Sequence, residues 1–146
     1  MDKSKRKAII AGNWKMNKTA EEAQSLASEL INLVAEVKNN AKVILCVPFP
    51  YLQTTRKQLG SNANVTVGAQ NCSEHEWGAY TGEVSAPMLK SLDIPYVIIG
   101  HSERRQYFGE DGKLLAKKVD KALAHGLIPI FCCGEPLEIR EKGTHE

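Results

Sequence analysis

Short apolar runs alternate with longer amphipathic stretches along the chain. Five runs have the length and composition of β-strands, at residues 8–11, 43–47, 65–69, 96–100 and 128–132. Most of them are continuously apolar, which is typical of parallel strands that are buried on both faces of a sheet. Regular alternation of such strands with helices predicts an α/β fold with a parallel sheet.

The amphipathic stretches predict four helices. The first is the clearest, because Thr19 and Glu22 have the spacing of a capping box and apolar residues then recur at helical spacing as far as Val37. Its predicted end is at Asn39 and Asn40. The other three are predicted over residues 51–59, from residue 85 onward, and over residues 114–123, and a further helix begins within residues 136–142.

The segment from Gln70 to Gly82 has neither a helical nor a strand period. A loop of this length inside a small domain is usually functional. Trp77 and Tyr80 lie in it, and large aromatic side chains on a loop favour a partner-binding surface over a disordered segment.

Composition excludes several classes of function. The chain has 146 residues, of which 42% are hydrophobic and 25% charged, with a net charge of +2, and these figures are ordinary for one soluble domain. The small net charge and interspersed Lys and Glu argue against a nucleic-acid or membrane binder. The first apolar run is too short for a signal-peptide core, so we expect a cytoplasmic protein.

Cysteine and glycine spacings point to no metal and no cofactor. Cys46, Cys72, Cys132 and Cys133 lack the paired spacing of a zinc site, and we expect them to be reduced. The chain also lacks the glycine-rich loops that bind nucleotides.

Candidate chemistry follows the first predicted strand. Asn13 and Lys15 come directly after it, and ligands of parallel α/β folds bind at the carboxyl ends of strands. An ammonium group there suits a phosphate or a developing oxyanion. From position alone, a solvated surface lysine is the alternative interpretation, and it stays open here.

A second candidate follows the fourth strand. His101 lies at its carboxyl end, where polar residues open a helical turn, and the positive end of a helix dipole disfavours imidazolium. A neutral imidazole can donate its N–H to a carbonyl oxygen. Glu103 could orient Lys15 or His101, or simply occupy a first helical turn. A lone histidine at a strand end is more often structural, so both interpretations stay open here.

Four segments together closely resemble the triosephosphate isomerase family. They are residues 11–17 (AGNWKMN), 68–83, 100–105 (GHSERR) and 133–135 (CGE), and the resemblance extends from Lys7 to the end of the chain. Members of this family are (β/α)8 barrels of about 250 residues. The resemblance therefore implies an incomplete TIM barrel with parallel strands 1–5 and helices 1–4, in which residues 1–146 are the N-terminal part of a single domain.

The same resemblance implies an activity. The family interconverts dihydroxyacetone phosphate and glyceraldehyde 3-phosphate through an enediol(ate), as homodimers in glycolysis and gluconeogenesis, without metal or cofactor. By the resemblance, Asn13 and Lys15 bind substrate, and Lys15 supplies positive charge. His101 acts as the electrophile, in the neutral form that is known for this family, and Ser102 and Glu103 support it.

The resemblance also implies a dimer contact and a missing base. The contact is the 70–83 loop, with Thr81 entering the neighbouring subunit's site. Its implied residues are Gln70, Asn71, Trp77, Tyr80, Thr81 and Glu83. The family's catalytic base is a glutamate after the sixth strand, whereas Glu135 matches a structural glutamate after the fifth.

We therefore expect the chain alone to be nearly inactive. Three interpretations remain open: the N-terminal part of an ordinary isomerase, one chain of a split barrel completed by a C-terminal chain, and a non-catalytic fragment that self-associates.

Overall fold

A single parallel sheet forms the centre of the molecule. The computed structural model describes residues 7–37, 41–62, 64–135 and 137–143. The strands pair in sequential order, each parallel to the next. They are β1 (Ile9–Asn13), β2 (Lys42–Cys46), β3 (Val65–Ala69), β4 (Tyr96–Ile99) and β5 (Ile128–Phe131). The prediction of five parallel strands in an α/β fold is thus confirmed.

One helix or a pair of helices follows each strand. They are α1 (Ala20–Glu36), α2 (Leu52–Leu59), α3 (Ala86–Ser91), α4 (Ser102–Phe108), α5 (Gly112–Ala124) and α6 (Leu137–Glu141). The predicted capping box is present at the start of α1, since the Thr19 N–H donates to Glu22 Oε2 at 2.8 Å. The predicted helix end at Asn39 and Asn40 lies outside the described residues. Sequence analysis expected only a helical turn after β4, whereas α4 is a separate helix.

The main core lies between the helices and one face of the sheet. Alternate residues of β2, β3 and β4 point into it, as the two-residue period of a strand requires. Leu45, Val67 and Val97 are examples, and they are almost fully buried. They share this core with Leu89 of α3 and Leu115 of α5.

The opposite face of the sheet is concave. Ile44 and Cys46 of β2 cluster there with Ile98 of β4, although β3 lies between the two strands. Gly68 of β3 makes this possible, because a Cβ at that position would lie 3.0 Å from Ile44 Cγ2 and 3.1 Å from Cys46 Sγ. The missing side chain allows neighbouring strands to close over β3, so the five strands curl into half a barrel.

The two outer strands differ from the sequence-based expectation. Continuous apolar sequence predicted burial on both faces, but Ile9 and Ile10 of β1 are 54% and 59% exposed. Ile128 and Phe131 of β5 are similarly exposed. Among the described residues β1 pairs only with β2, and β5 only with β4. An apolar run indicates a strand suited to burial, and the curl of this half-barrel leaves its two end strands uncovered.

The helices of the described residues are all too short or too polar to cross a lipid bilayer.

Substitution of Gly68 tests the curl. We expect Gly68→Ala to lower the free energy of unfolding by about 1–3 kcal/mol, because the new methyl group overpacks two buried side chains. Gly112→Ala is the matched control, since nothing lies within 4 Å of a Cβ there. Urea denaturation of both variants measures the difference, and equal stability would contradict this role for Gly68.

Candidate active site

Polar side chains gather at the carboxyl edge of the sheet. Asn13 is the last residue of β1, and Lys15 follows two residues later. His101 follows β4 across a single glycine. Because all strands run in parallel, these residues emerge at the same edge, which is where α/β folds bind their ligands.

The backbone of Lys15 is held in an unusual conformation. Its φ is +53°, in the left-handed region that costs a non-glycine residue roughly 1–2 kcal/mol. Two amide side chains hold it there: Asn13 Oδ1 accepts from the Lys15 N–H at 2.9 Å, and Gln70 Nε2 donates to the Lys15 carbonyl at 2.9 Å. Gln70 Nε2 also donates to the Cys46 carbonyl at 2.9 Å. Strained backbone that neighbouring groups over-determine is common in active sites.

The side chain of Lys15 reaches Glu103 of α4. Lys15 Nζ donates to Glu103 Oε1 at 2.6 Å, and both side chains are about half exposed. This hydrogen bond, together with the nearby positive charge, holds the pKa of Glu103 below its ordinary value. Exposed ion pairs add little to stability. This pair therefore directs the ammonium group toward α4 but adds little to the stability of the fold.

His101 is the N-cap of α4. Its Nδ1 accepts from the Glu103 N–H at 3.3 Å, and Glu103 Oε2 lies 3.4 Å from the same nitrogen. The contact with the Glu103 N–H needs an unprotonated Nδ1. The contact with Glu103 Oε2 would be a hydrogen bond only if Nδ1 carried a proton. A backbone amide always donates, so we assign Nδ1 as the acceptor. The imidazole is then neutral with its proton on Nε2, where it can be offered to a ligand.

The predicted supporting residues lie nearby in the fold. Ser102 is the first residue of α4, and Glu135 lies four residues beyond the end of β5, so both follow strands at this edge. Both are exposed. The structure therefore brings Asn13, Lys15, His101 and Glu103 into one hydrogen-bonded group, and the two supporting residues follow strands at the same edge of the sheet.

The 70–83 loop divides into a buried base and an exposed tip. At the base, Gln70 holds the Lys15 loop, and Asn71 is buried with its Oδ1 accepting from Lys118 Nζ at 3.0 Å. Trp77 at the tip is 68% exposed, and Tyr80 stacks on His75 with ring centroids 3.8 Å apart. The tip also exposes Thr81 and Glu83.

A buried ionic network lies behind the loop, and sequence analysis missed it. Glu110 Oε1 accepts from Lys118 Nζ at 2.5 Å and from Arg104 Nε at 2.7 Å, and both Glu110 and Lys118 are nearly inaccessible. Burial raises the pKa of Glu110, but hydrogen bonds from the two cations outweigh it, so the net pKa is lowered. The sequence signal was Lys118 itself, which lies on the apolar stripe of α5 between Leu115 and Ala122.

A second group of hydrogen bonds joins the loop to α5 nearer the surface. Glu76 Oε1 accepts from Lys121 Nζ at 2.9 Å and lies 3.2 Å from His125 Nε2. These hydrogen bonds lower the pKa of Glu76. His125 is the residue that caps α5.

Comparison with known proteins identifies the family. A family model described as triosephosphate isomerase matches residues 8–146. The chain belongs to the triosephosphate isomerase family.

Curated relatives named triosephosphate isomerase agree with this. One from Cytophaga hutchinsonii is 55% identical over 141 residues, which cover 96% of this chain and 55% of the relative. One from Bacteroides fragilis is 54% identical over 136 residues, covering 93% and 54%. One from Clostridium beijerinckii is 50% identical over 139 residues, covering 95% and 55%. The chain thus spans about half the length of the curated relatives it matches, which agrees with a sheet curled into half a barrel.

Removal of Glu110 tests the buried network. We expect Glu110→Ala to lower the free energy of unfolding by about 3–5 kcal/mol, because it leaves Lys118 buried without its carboxylate. Asp120→Ala, at an exposed position of α5, the helix that carries Lys118, should change stability by less than about 0.5 kcal/mol. Urea denaturation at pH 7 compares the two.

The same network makes the free energy of unfolding depend on pH in the acid range. The pKa of Glu110 is lower in the folded chain than its ordinary value of 4.5, so its carboxylate stabilises the fold at pH values above 4.5. This contribution is lost as the pH falls below 4.5. The gap in stability between the unaltered chain and Glu110→Ala should therefore narrow below that pH. A gap that stays constant down to pH 3 would contradict the assignment.

Proposed function

We propose that the protein to which this chain belongs interconverts dihydroxyacetone phosphate and glyceraldehyde 3-phosphate by proton transfer through an enediol(ate). One observation carries the proposal: Lys15, His101 and Glu103 form a single hydrogen-bonded group at the carboxyl edge of the sheet, in a chain of this family. An ammonium group and a neutral imidazole N–H at one edge are the donors that a developing oxyanion needs.

Each residue of the group has a proposed role. Lys15 supplies positive charge to the phosphate and the developing oxyanion, and Asn13 binds substrate while holding the Lys15 N–H. His101 donates from Nε2 to the carbonyl oxygen and moves the proton between the two oxygens. Glu103 positions both of them, since one of its oxygens holds Lys15 and its N–H holds the imidazole. Ser102 completes the supporting shell.

The catalytic base is proposed to come from outside the five described strands. By the family resemblance it is a glutamate at the end of a sixth strand. The groups that bind the phosphate lie on a closing lid loop and in the turns after strands seven and eight. Glu135 follows β5 and is proposed as a supporting residue instead. Loss of a positioned general base costs about 10²–10⁴ in rate. Residues 1–146 alone should therefore be nearly inactive until three further βα units complete the barrel.

The proposal includes a homodimer and no cofactor. The exposed aromatic tip of the 70–83 loop, with Trp77 and Tyr80, would bury its apolar surface against a second copy, and Thr81 would reach the neighbouring site. Gln70 and Asn71 would support this contact from below, because they bond within their own chain. The substrate is a small phosphorylated triose, with no nucleic acid or membrane partner, and the proposed location is the cytoplasm, where glycolysis runs.

A completed barrel tests the function. Residues 1–146 are joined to the remainder of the Cytophaga hutchinsonii relative, spliced where the two sequences cease to match. We expect isomerase turnover from this fusion and turnover lower by at least about 10² from the 146-residue chain alone. Mixing the two halves unjoined tests a split barrel. A folded fusion without turnover, measured beside an active complete relative, would refute the proposed function. Full activity of the 146-residue chain alone would refute the proposal that the catalytic base comes from outside it.

Two substitutions in the fusion test the residue roles. Lys15→Ala should lower kcat/KM by about 10²–10³, since it removes a donor to the developing charge. His101→Gln should lower kcat by about 10²–10⁴ with little change in thermal stability. Lys113→Ala, at an exposed site on α5, is the control and should keep full activity. If His101→Gln instead lowers stability and kcat is maintained, His101 is a structural residue.

A further inference from the structure

The side chain of Arg105 bridges the carboxyl ends of two neighbouring strands. Its Nε donates to the Gly100 carbonyl at 2.7 Å, and its Nη2 donates to the Cys132 carbonyl at 2.9 Å. Gly100 directly precedes His101, and Cys132 directly follows β5. A guanidinium group presents its donors in a rigid plane, so two such bonds fix both carbonyl directions at once.

We infer that Arg105 is a positioning residue for His101, because it fixes the peptide from which the imidazole projects. The effect of Arg105 on catalysis rests on the proposed function, whereas its hydrogen bonds to the peptides around His101 do not. Nothing in the proposed mechanism assigns a role to Arg105.

Gly100 and Arg105 depend on one another. Gly100 has a φ of +78°, in the region that glycine adopts freely and other residues adopt at a cost. A Cβ at Gly100 would lie 2.8 Å from Arg105 Nη2, so the guanidinium occupies the space that the missing side chain leaves. The glycine thus provides both the turn out of β4 and the room for the arginine that holds this turn.

Arg105 also bonds to His101 through its backbone. The His101 carbonyl accepts from the Arg104 N–H at 2.9 Å and from the Arg105 N–H at 3.1 Å. Arg105 therefore holds the carbonyls on both sides of the His101 Cα, one with its backbone and the other with its side chain. With both peptides fixed, the Cα–Cβ bond has one direction, and Nδ1 stays over the Glu103 N–H.

A purely structural role would be to join β4 to β5. The ladder achieves this without the arginine, since the Cys132 N–H donates to the Ile99 carbonyl at 2.9 Å, just beyond the last paired residues. The side chain adds a bond to Gly100 that the ladder does not need. Its guanidinium also lies 5.6 Å from the centre of the Phe131 ring, which keeps it at this edge.

Arg56 provides a matched control with the same chemistry. Its Nε donates to the Asp93 carbonyl at 3.2 Å and its Nη1 to the Gly60 carbonyl at 2.8 Å. These carbonyls precede β4 and β3, so Arg56 bridges two loops at the amino edge of the sheet, opposite His101. Arg56→Lys should affect stability much as Arg105→Lys does, but it cannot affect the imidazole directly.

The first test is spectroscopic. The complete 146-residue chain and the fused barrel, labelled with ¹⁵N in the histidine rings, are compared as the unaltered protein, Arg105→Lys and Arg56→Lys above pH 8. We expect His101 to show one tautomer, with the proton on Nε2, in the unaltered protein and in Arg56→Lys. Arg105→Lys cannot make both bonds with one planar group, so its His101 signals should move toward the average of the two tautomers.

The second test is kinetic and uses the fused barrel. Arg105→Lys should lower kcat by about 10- to 100-fold, the effect of a small misplacement of a reacting group, and leave KM within about twofold. Arg56→Lys should leave both unchanged. Urea denaturation confirms that each variant is folded, and Arg105→Met serves as a second variant that keeps the apolar stem.

The inference is overturned if both Arg105 variants, folded, keep the ring spectrum of the unaltered protein, or if Arg56→Lys changes it equally. An inactive fusion would refute the proposed isomerase function, and the ring spectrum would still decide the role of Arg105.

Discussion

The curl of the parallel sheet over Gly68 is the constraint on which the site depends. Neighbouring strands lie about 4.8 Å apart. In a flat sheet, the carboxyl ends of β1 and β4 would therefore lie three strand spacings apart along a straight row. The concave packing of Ile44 and Cys46 against Ile98 bends that row into an arc. Lys15 and Glu103, 88 residues apart in the chain, then form a hydrogen bond of 2.6 Å. A bulky side chain at position 68 of β3 would oppose the arc and move the two ends of this bond apart.

Local signals predicted the elements well. The predicted capping box at Thr19 and Glu22 defines the start of α1, and Gly126, with a φ of +69°, follows the end of α5. These signals act within one turn of chain, so they can be read without tertiary information. Exposure of β1 and β5 could not be predicted in this way. An apolar strand has the same sequence whether or not another strand lies beside it.

Sequence analysis predicted the reactive groups of the candidate site but not the residues that hold them in place. Lys15 and His101 stand out because polar groups follow strands. The position of Gln70 on the Lys15 and Cys46 carbonyls depends on how two loops from different strands meet, and no spacing in the sequence reports that contact. Glu110 was missed for a related reason. A glutamate between two helices is ordinary until the fold brings Lys118 and Arg104 to it.

The two kinds of ion pair in this half-barrel have different consequences. Lys15 and Glu103 are half exposed, so water screens their attraction and the pair can rearrange around a ligand at little cost. Glu110 and Lys118 are excluded from water, so separation of that pair would leave a buried charge. The buried pair therefore fixes the base of the loop and the start of α5, and the exposed pair remains adjustable on that foundation. Rigid support beneath adjustable charges suits the anionic substrate proposed above, because the exposed charges can rearrange around it while their base stays fixed.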